Sequence, residues 1–407
     1  MLIDVDSVRR AILGACPPLA PRALPLAEAL GCVTAGPVVA GHDVPPFANS
    51  AMDGFAVRAE DTPGILEVVG TTAAGDPPAA ALGRGQAVRI MTGAPVPPGA
   101  DAIVMVERTS SGPDPGTVVV EEAAVGDHIR HPGDDLRAGQ LLFEPGTELG
   151  PGHLGVLASV GSETVEVVPR ARVGVLSTGD ELVSGAGELR PGQIRDSNRP
   201  MLLALVAQNG WVPVDLRTAP DDEAAITAAV ERGVAGCDAI LTSGGVSVGD
   251  FDYVKAVLDR LGDMQWWQVA VKPAKPLAFG TVDVPGGRSG QQRGIPVFGL
   301  PGNPVSALVS FELFARPALR QMTGHRELFR PQVPALADED LRRRPDGKLH
   351  LVRVVATTDG DGRLHVRASG GQGSHLLRAM ALANALALLP DGDGVAAGGT
   401  VQVVRLT

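Results

Sequence analysis

The chain has 407 residues and a formal net charge of −11 at pH 7; 44% of its residues are hydrophobic and 20% are charged. This length allows two to four domains with separate cores, the acidic balance argues against a nucleic-acid or anionic-membrane surface, and no apolar run is long enough to span a bilayer. Three widely spaced cysteines without a CxxC pair, and an N-terminus without a signal-peptide pattern, predict a cytoplasmic protein with no zinc site and no disulfide framework.

The first third of the chain changes from helical to β-rich. Val8, Ile12 and Leu13 share one apolar face, which predicts a helix that ends before Pro17. Residues 41–140 then alternate short apolar runs with Pro and Gly clusters, as is typical of a β-rich domain with long connections. The strands predicted there are 65–69, 86–90, 102–106 and 117–120.

A repeated strand–loop–helix pattern occupies residues 172–324. The predicted strands are 172–176, 212–216, 239–242, 268–271 and 297–300. This alternation predicts a doubly wound, parallel α/β sheet with helices on both faces. Ligands of such sheets bind beyond the carboxyl ends of the strands. The loops at Thr178, Ser243, Lys272 and Pro301 are therefore expected at one edge.

The remaining chain is again β-like. The predicted strands 349–355, 363–368, 385–389 and 400–405 indicate a small C-terminal barrel or sandwich. A mixed linker region at 141–170 contains a predicted helix near 152–160. The chain is thus expected to be multidomain, α/β plus β. The predicted domains are 1–40 with 141–170 (N-terminal helices and linker), 41–140 (β-rich), 171–324 (α/β) and 325–407 (barrel-like).

The stretch 238–253, DAILTSGGVSVGDFDY, has the pattern of an oxyanion site. A buried strand leads into glycines that bring backbone N–H groups close to a ligand, just before a predicted helix N-terminus. Asp250 and Asp252 on the same loop would repel a bare phosphate. A divalent cation between carboxylate and phosphate resolves that conflict.

Charged groups are predicted at the same edge. Lys272 and Lys275 alternate with prolines and suit a polyanion such as a pyrophosphate, with solvated surface lysines as the alternative. Oxygen-only ligands favour Mg²⁺, and the acidic candidates are Asp53, Glu181, Asp221, Asp250 and Asp252. Segments 44–55 and 89–101 place polar groups beside glycine, where structured turns are the alternative.

Eight segments, in order along nearly the whole chain, resemble one family: molybdopterin molybdenumtransferase, or MoeA, shared with the E domain of gephyrin. They are PPFANSAMDGFAV (45–57), RIMTGAPVPPGADAIVMVE (89–107), STGDEL (177–182), DSN (196–198), TSGGVSVGDFDYVK (242–255), KPAKP (272–276), GLPGNPVSA (299–307) and QGSHLLRAMALANAL (372–386).

The resemblance implies a transferase of molybdenum cofactor biosynthesis. Such enzymes take adenylylated molybdopterin and molybdate, require Mg²⁺, cleave the pyrophosphate and release AMP. Family members are homodimers of four-domain subunits, with a central domain of the molybdopterin-binding type. The active cleft lies between that domain of one subunit and the β domains of the other, and molybdopterin adenylyltransferase is a possible partner.

The resemblance also implies site residues. The catalytic candidates are Asp53 and Thr92, entering from the partner subunit, with Glu181, Asp221, Asp252, Lys272 and Lys275. Glu181, Asp221 and Asp252 are the metal candidates. The cofactor-binding candidates are Ser243, Gly244, Gly245, Ser247, Pro301, Gly302, Asn303, Pro304, Arg130, Arg353 and Ser374.

The sequence departs from the family pattern at a few positions, and other functions remain open. Ala48, Phe55, Gln268 and Ala274 replace residues that are acidic, tyrosine, basic and glycine in many members. One alternative is molybdopterin adenylyltransferase, although that enzyme is a single α/β domain. Another is a scaffold or a cofactor-binding carrier without turnover.

Overall fold

A computed structural model describes residues 2–245, 253–283, 294–360 and 362–406. The chain divides into two compact units. The smaller unit comprises residues 23–30 and 36–166, and the larger unit comprises residues up to 22, residues 31–35 and residues from 167 onward. The four domain boundaries predicted above remain a prediction.

The smaller unit is built around a six-stranded sheet. Its strand order is Ala102–Met105, Gly54–Val57, Gln86–Ile90, Gly64–Thr72, Thr117–Val120 and Thr109–Ser111. Phe55, Leu66, Val104 and Val118 pack into its core. Two short pairs, Ile129–Arg130 with Asn49–Ser50 and Leu141–Phe143 with Val38–Val39, lie outside the sheet. The unit also contains the α-helix Pro151–Ser159 and the 3₁₀ turns Leu26–Glu28, Ala59–Asp61 and Val106–Arg108.

The larger unit contains the predicted doubly wound sheet. Its strand order is Val212–Ala219, Arg172–Thr178, Ala239–Ser243, Ile295–Leu300, Pro276–Val282 and Gly262–Gln268. The first four strands are parallel. Pro276–Val282 runs antiparallel to both of its neighbours, so Gly262–Gln268 runs in the same direction as the first four strands.

Helices cover both faces of this sheet. Its α-helices are Val5–Ala15, Asn198–Gln208, Glu223–Gly236, Tyr253–Leu261, Pro304–Ser310 and Arg316–Met322, the last two joined by the π-helical segment Phe311–Ala315. Leu202 and Phe311 pack with Val175 on one face, whereas Ile226 and Val257 pack on the other face. Among the described residues, no helix is long and apolar enough to cross a membrane.

The prediction of a parallel strand at 268–271 is wrong. The strand Gly262–Gln268 ends where it was expected to begin, and Pro276–Val282 follows after the short connection 269–275. A connection of that length joins antiparallel neighbours, because a parallel crossover needs a dozen residues or more. The segment Val271–Lys272 instead pairs with Leu349 and His350 of the C-terminal sheet.

The C-terminal residues form a closed barrel, as predicted. Its strands are Gln332–Ala337, Leu349–Thr358, Leu364–Ala368, Ala385–Leu389 and Thr400–Arg405. Pairing of Leu349–Thr358 with Ala385–Leu389 closes the ring, and Val354, Val366 and Val403 fill it. The helix Leu377–Leu382 lies between two of these strands in sequence.

The remaining strands are Arg22–Pro25, Val33–Thr34, Thr164–Val168, Leu182–Val183, Ile194–Arg195, Leu341–Arg342 and Gly394–Val395. The multidomain fold class with a doubly wound α/β domain is therefore confirmed.

Candidate functional site

Four parallel strands end side by side at one edge of the α/β sheet. Thr178 pairs with Ala219, and Ser243 pairs with Leu300; Ser177 links the two pairs through its register with Ser243. The loops that follow these strands therefore start from the same edge, as the sequence predicted for Thr178, Ser243 and Pro301. The connection 269–275, which carries Lys272 and Lys275, lies at this edge too, because Gln268 pairs with Pro276 and the nearby Ala278 pairs with Gly299.

The Ser243–Gly245 turn requires glycine. Gly244 has a φ of +101°, and its N–H donates to the Leu300 carbonyl at 3.2 Å. A Cβ atom there would lie 2.8 Å from the Thr178 carbonyl oxygen. Ser247, Asp250 and Asp252, which the sequence singled out on this loop, lie outside the described residues.

Glu181 and Asp221 lie on two adjacent loops. The Asp221 N–H donates to the Asp180 carboxylate at 3.0 Å, and the Gly179 N–H donates to the Ala219 carbonyl at 3.3 Å. Asp222, and not Asp221, caps the following helix by accepting from the Ala225 N–H at 2.8 Å.

Carboxylates are the hard oxygen ligands that Mg²⁺ prefers, and the metal role expected for Glu181 and Asp221 stays a prediction. Asp252, the third predicted ligand, lies outside the described residues. Within the described ranges, no three His, Cys, Asp or Glu side chains come close enough to hold a metal ion.

Asp196 ties three elements of this edge together. Its carboxylate accepts hydrogen bonds from Ser177 Oγ at 3.2 Å and Thr218 Oγ1 at 3.0 Å. It also accepts from the Arg199 N–H and Nε, both at 3.1 Å. Only 1% of the Asp196 side chain is exposed. Asp196 therefore positions the start of the helix Asn198–Gln208 against two strand ends.

Asn198 bridges two of the ligand-edge loops. Its Nδ2 donates to Ser243 Oγ and to the Gly302 carbonyl, each at 2.7 Å. The sequence singled out Asn198 only as the last residue of the DSN motif (196–198). The DSN motif follows a segment that starts at the edge where the parallel strands end. This position in the sequence is the signal that could have revealed the contacts of Asn198.

The two lysines stand on an exposed loop with a constrained backbone. Lys272 lies in register with His350 of the barrel, and the Lys275 carbonyl accepts from the Val269 N–H at 2.7 Å. Between them, Ala274 is buried with a φ of +78°. Both lysine side chains are thus presented from a segment that the barrel holds.

Arg353 is a fully buried cation of the barrel. Its Nη2 donates to the Gly371 and Gly373 carbonyls at 2.7 and 3.1 Å. Nε and Nη1 are buried and have no partner in the described part of the chain. Burial lowers the pKa of Arg353. A buried guanidinium with unused donors is suited to an anion.

The loop beside Arg353 contacts the helix that begins at Pro304. The Ser374 carbonyl accepts from the Val305 N–H at 3.1 Å. Pro304 occupies the first helical position and Asn303 the N-cap position, without a side-chain capping bond. Pro301 is buried, whereas Gly302 and Asn303 are exposed. The structure therefore brings Ser374 and the Pro301–Pro304 turn together.

In the smaller unit, Asp53 and Thr92 are hydrogen-bonded. Asp53 Oδ1 accepts from the Thr92 N–H at 2.7 Å and from Thr92 Oγ1 at 2.8 Å. These bonds lower the pKa of the exposed Asp53 carboxyl. The Gly93 N–H donates to the Ser50 carbonyl at 2.8 Å, and Arg130 lies in register with Asn49. The two predicted segments and the strand that carries Arg130 are thus held next to each other.

Comparison with known proteins assigns the family. Family models match in three consecutive regions: the MoeA N-terminal region (domain I and II) at 3–161, the probable molybdopterin binding domain at 174–321, and the MoeA C-terminal region (domain IV) at 336–406. The chain is 37% identical to molybdopterin molybdenumtransferase of Haemophilus influenzae, over 99% of this chain and 98% of the relative.

The chain belongs to the molybdopterin molybdenumtransferase (MoeA) family.

Two further comparisons agree. Molybdopterin molybdenumtransferase 2 of Mycobacterium tuberculosis is 41% identical over 97% of both chains. A crystal structure of the molybdopterin biosynthesis MoeA protein from Pyrococcus horikoshii superposes over 100% of both chains with a TM-score of 0.81 at 28% identity. Membership confirms the resemblance read from the sequence, and it makes the chain a transferase of molybdenum cofactor biosynthesis.

Among the site residues predicted for this MoeA-family chain, the structure brings together two groups. In the larger unit, these are Glu181, Asp221, Ser243, Gly244, Gly245, Lys272, Lys275, Pro301, Gly302, Asn303 and Pro304 at the sheet edge, with Arg353 and Ser374 on the barrel. In the smaller unit, they are Asp53, Thr92 and Arg130. The individual roles of these residues stay predictions.

Proposed function

We propose that this MoeA-family chain inserts molybdate into adenylylated molybdopterin, with cleavage of the pyrophosphate and release of AMP. The names of its relatives support the molybdopterin and molybdenum substrates. The observation that carries the proposal is the meeting of the Ser243–Gly245 turn with the Glu181 and Asp221 loops at the carboxyl edge of one sheet. A glycine turn and two carboxylates on adjacent loops at that edge suit a pyrophosphate and its counter-ion.

The chain's own groups supply binding and charge neutralisation. Phosphoanhydride cleavage depends mainly on positioning and on stabilising negative charge. Lys272 and Lys275 hold phosphate or molybdate oxygens, and Arg353 supplies a third, desolvated cation. Pro301 and Pro304 shape the wall of the pterin pocket. Mg²⁺, held by Glu181 and Asp221, would neutralise the pyrophosphate when bound.

The same proposal includes the assembly. The chain acts as a cytoplasmic homodimer of four-domain subunits, and Asp53 and Thr92 are supplied by the partner subunit. Their hydrogen bond keeps the Asp53 carboxylate ionised and oriented, which is what a group entering a cation-rich cleft requires. Molybdopterin adenylyltransferase is the expected source of the substrate.

The test is AMP release from adenylylated molybdopterin with Mg²⁺, in the presence and absence of molybdate. We expect molybdate-dependent release, lowered by about 100-fold or more in Lys272→Ala because a charge-stabilising contact is lost. Arg260→Ala is the matched control: Arg260 is exposed and lies near the C-terminal end of the helix Tyr253–Leu261. Tight binding without AMP release would favour a carrier, and full activity of Lys272→Ala would refute the lysine's role.

A further inference from the structure

The carboxamide of Asn198 has one end in use and the other free. Its nitrogen donates to Ser243 Oγ and to the Gly302 carbonyl. Because a carbonyl can only accept, the contact with Gly302 fixes which end is nitrogen. Oδ1 is then a buried acceptor, and no described residue donates to it. Asn198 is only 8% exposed, and an unsatisfied buried acceptor costs about 1–3 kcal/mol.

Ser243, next to Asn198, can donate a hydrogen bond. Its Oγ accepts the hydrogen bond from Asn198, so its own O–H group remains available to donate to another acceptor. Ser243 is 3% exposed and ends a strand at the ligand edge. A hydrogen-bond donor on Ser243 and an acceptor on Asn198 therefore stand next to each other in a buried position.

The surroundings of this pair are narrow and polar. A Cβ atom on Gly302 would lie 3.9 Å from the Gly244 Cα, so the two loops almost touch. The Thr178 hydroxyl is also buried without a partner among the described residues, and it would lie 3.1 Å from a Cβ atom on Gly244. Together with Asn198 Oδ1 and the Ser243 hydroxyl, it agrees with a ligand edge that carries both donors and acceptors.

We propose that Asn198 and Ser243 read the lactam edge of the pterin ring. The ring N3–H donates to Asn198 Oδ1, and the adjacent ring carbonyl accepts from the Ser243 hydroxyl. The inference rests on the proposed function and names the part of the substrate that this slot recognises. The adenine ring of the same substrate also has a donor beside an acceptor. All the residues involved lie within the matched molybdopterin binding domain at 174–321, which favours the pterin.

The test compares ring-modified ligands on the intact chain. Binding of a 6-substituted pterin and of its N3-methyl derivative, which lacks the N3–H, is measured by fluorescence titration, with AMP as the adenine probe. We expect N3-methylation to weaken binding to the unmodified chain at least about tenfold, as loss of one buried hydrogen bond requires. In Asn198→Ala the two pterins should differ less than about threefold, while AMP affinity stays within about twofold.

Equal binding of both pterins to the unmodified chain would overturn the proposal, and so would a loss of AMP affinity that parallels the loss of pterin affinity. Ser243→Ala provides a second variant in case Asn198→Ala does not fold, with the same expected loss of pterin affinity. Failure of molybdate-dependent AMP release would leave the methylation result unchanged, so it would count against the proposed turnover and not against this recognition.

Discussion

Replacing Arg353 by methionine should leave the fold stable and remove activity. The two hydrogen bonds from its guanidinium to Gly371 and Gly373 are charge-assisted, and their loss costs roughly 3–6 kcal/mol. Removing Nε and Nη1, which are buried without partners in the described chain, returns roughly 2–6 kcal/mol of desolvation. Because the two quantities nearly cancel, we expect the free energy of unfolding to change by less than about 2 kcal/mol.

Turnover should respond differently from stability. If the unused donors of Arg353 bind a substrate oxyanion, its loss should lower kcat/KM for molybdate-dependent AMP release by about 100-fold or more. Arg353→Lys keeps the positive charge but lacks the planar guanidinium group. Its kcat/KM should therefore lie between that of the unmodified chain and that of Arg353→Met. Urea unfolding and the AMP assay on the same preparations give both quantities.

The control is Arg367→Met on the neighbouring barrel strand, where the arginine is exposed. That variant should match the unmodified chain in both assays. The reasoning would be refuted if Arg353→Met lost more than about 4 kcal/mol of stability while its folded fraction kept full turnover, because Arg353 would then be a structural residue.

Three further predictions concern stability and reactivity. Burial lowers the pKa of His350 in the folded chain. As pH falls below about 6.5, the imidazole therefore binds a proton in the unfolded chain before it does so in the folded chain, and the free energy of unfolding should decrease. Thermal melts at about pH 7.5 and about pH 5.5 should show a smaller decrease for His350→Gln than for the unmodified chain. Ala274 has a φ of +78°; Ala274→Gly should raise the unfolding free energy by up to about 1 kcal/mol in urea titrations, since relief of the left-handed strain exceeds the entropy cost. Burial raises the pKa of the Cys16 thiol to about 12, and Cys32 and Cys237 are also buried, so DTNB should react only after unfolding, and fast reaction of the native chain would contradict this.

Local pattern was sufficient for most strands and helices. The predicted runs 86–90 and 117–120 coincide with the observed strands, because apolar residues bounded by Gly and Pro specify a strand without knowledge of its partner. Val8 and Ile12 are both buried on the N-terminal helix, as their spacing predicts. What pattern could not supply is pairing across distance. The run before Lys272 was correctly β-like, but its partner strand begins at Leu349.

The site shows the same division between local and distant information. Glycine turns and caps are local, so the turn at Ser243 and the helix start at Pro304 follow from sequence. The bond between Asp53 and Thr92 joins residues 39 positions apart, and spacing alone does not predict it. Asn198 was missed for another reason: an asparagine before a helix is normally a cap, and only the fold shows that its side chain reaches Ser243 and Gly302 instead.

Arg353 was a candidate only through the family resemblance, but the alternation of its own strand could also have singled it out. In LHLVRVVATT (349–358), Val354 and Ala356 face the barrel core, whereas Leu351 packs into the core cluster of the α/β sheet. Since side chains alternate along a strand, Arg353 lies on the same face as Leu351, where leucine or methionine would pack without the cost of burying a charge. A fully buried cation at such a position, with donors left over after its carbonyl contacts, is explained by an anion that binds there and not by packing.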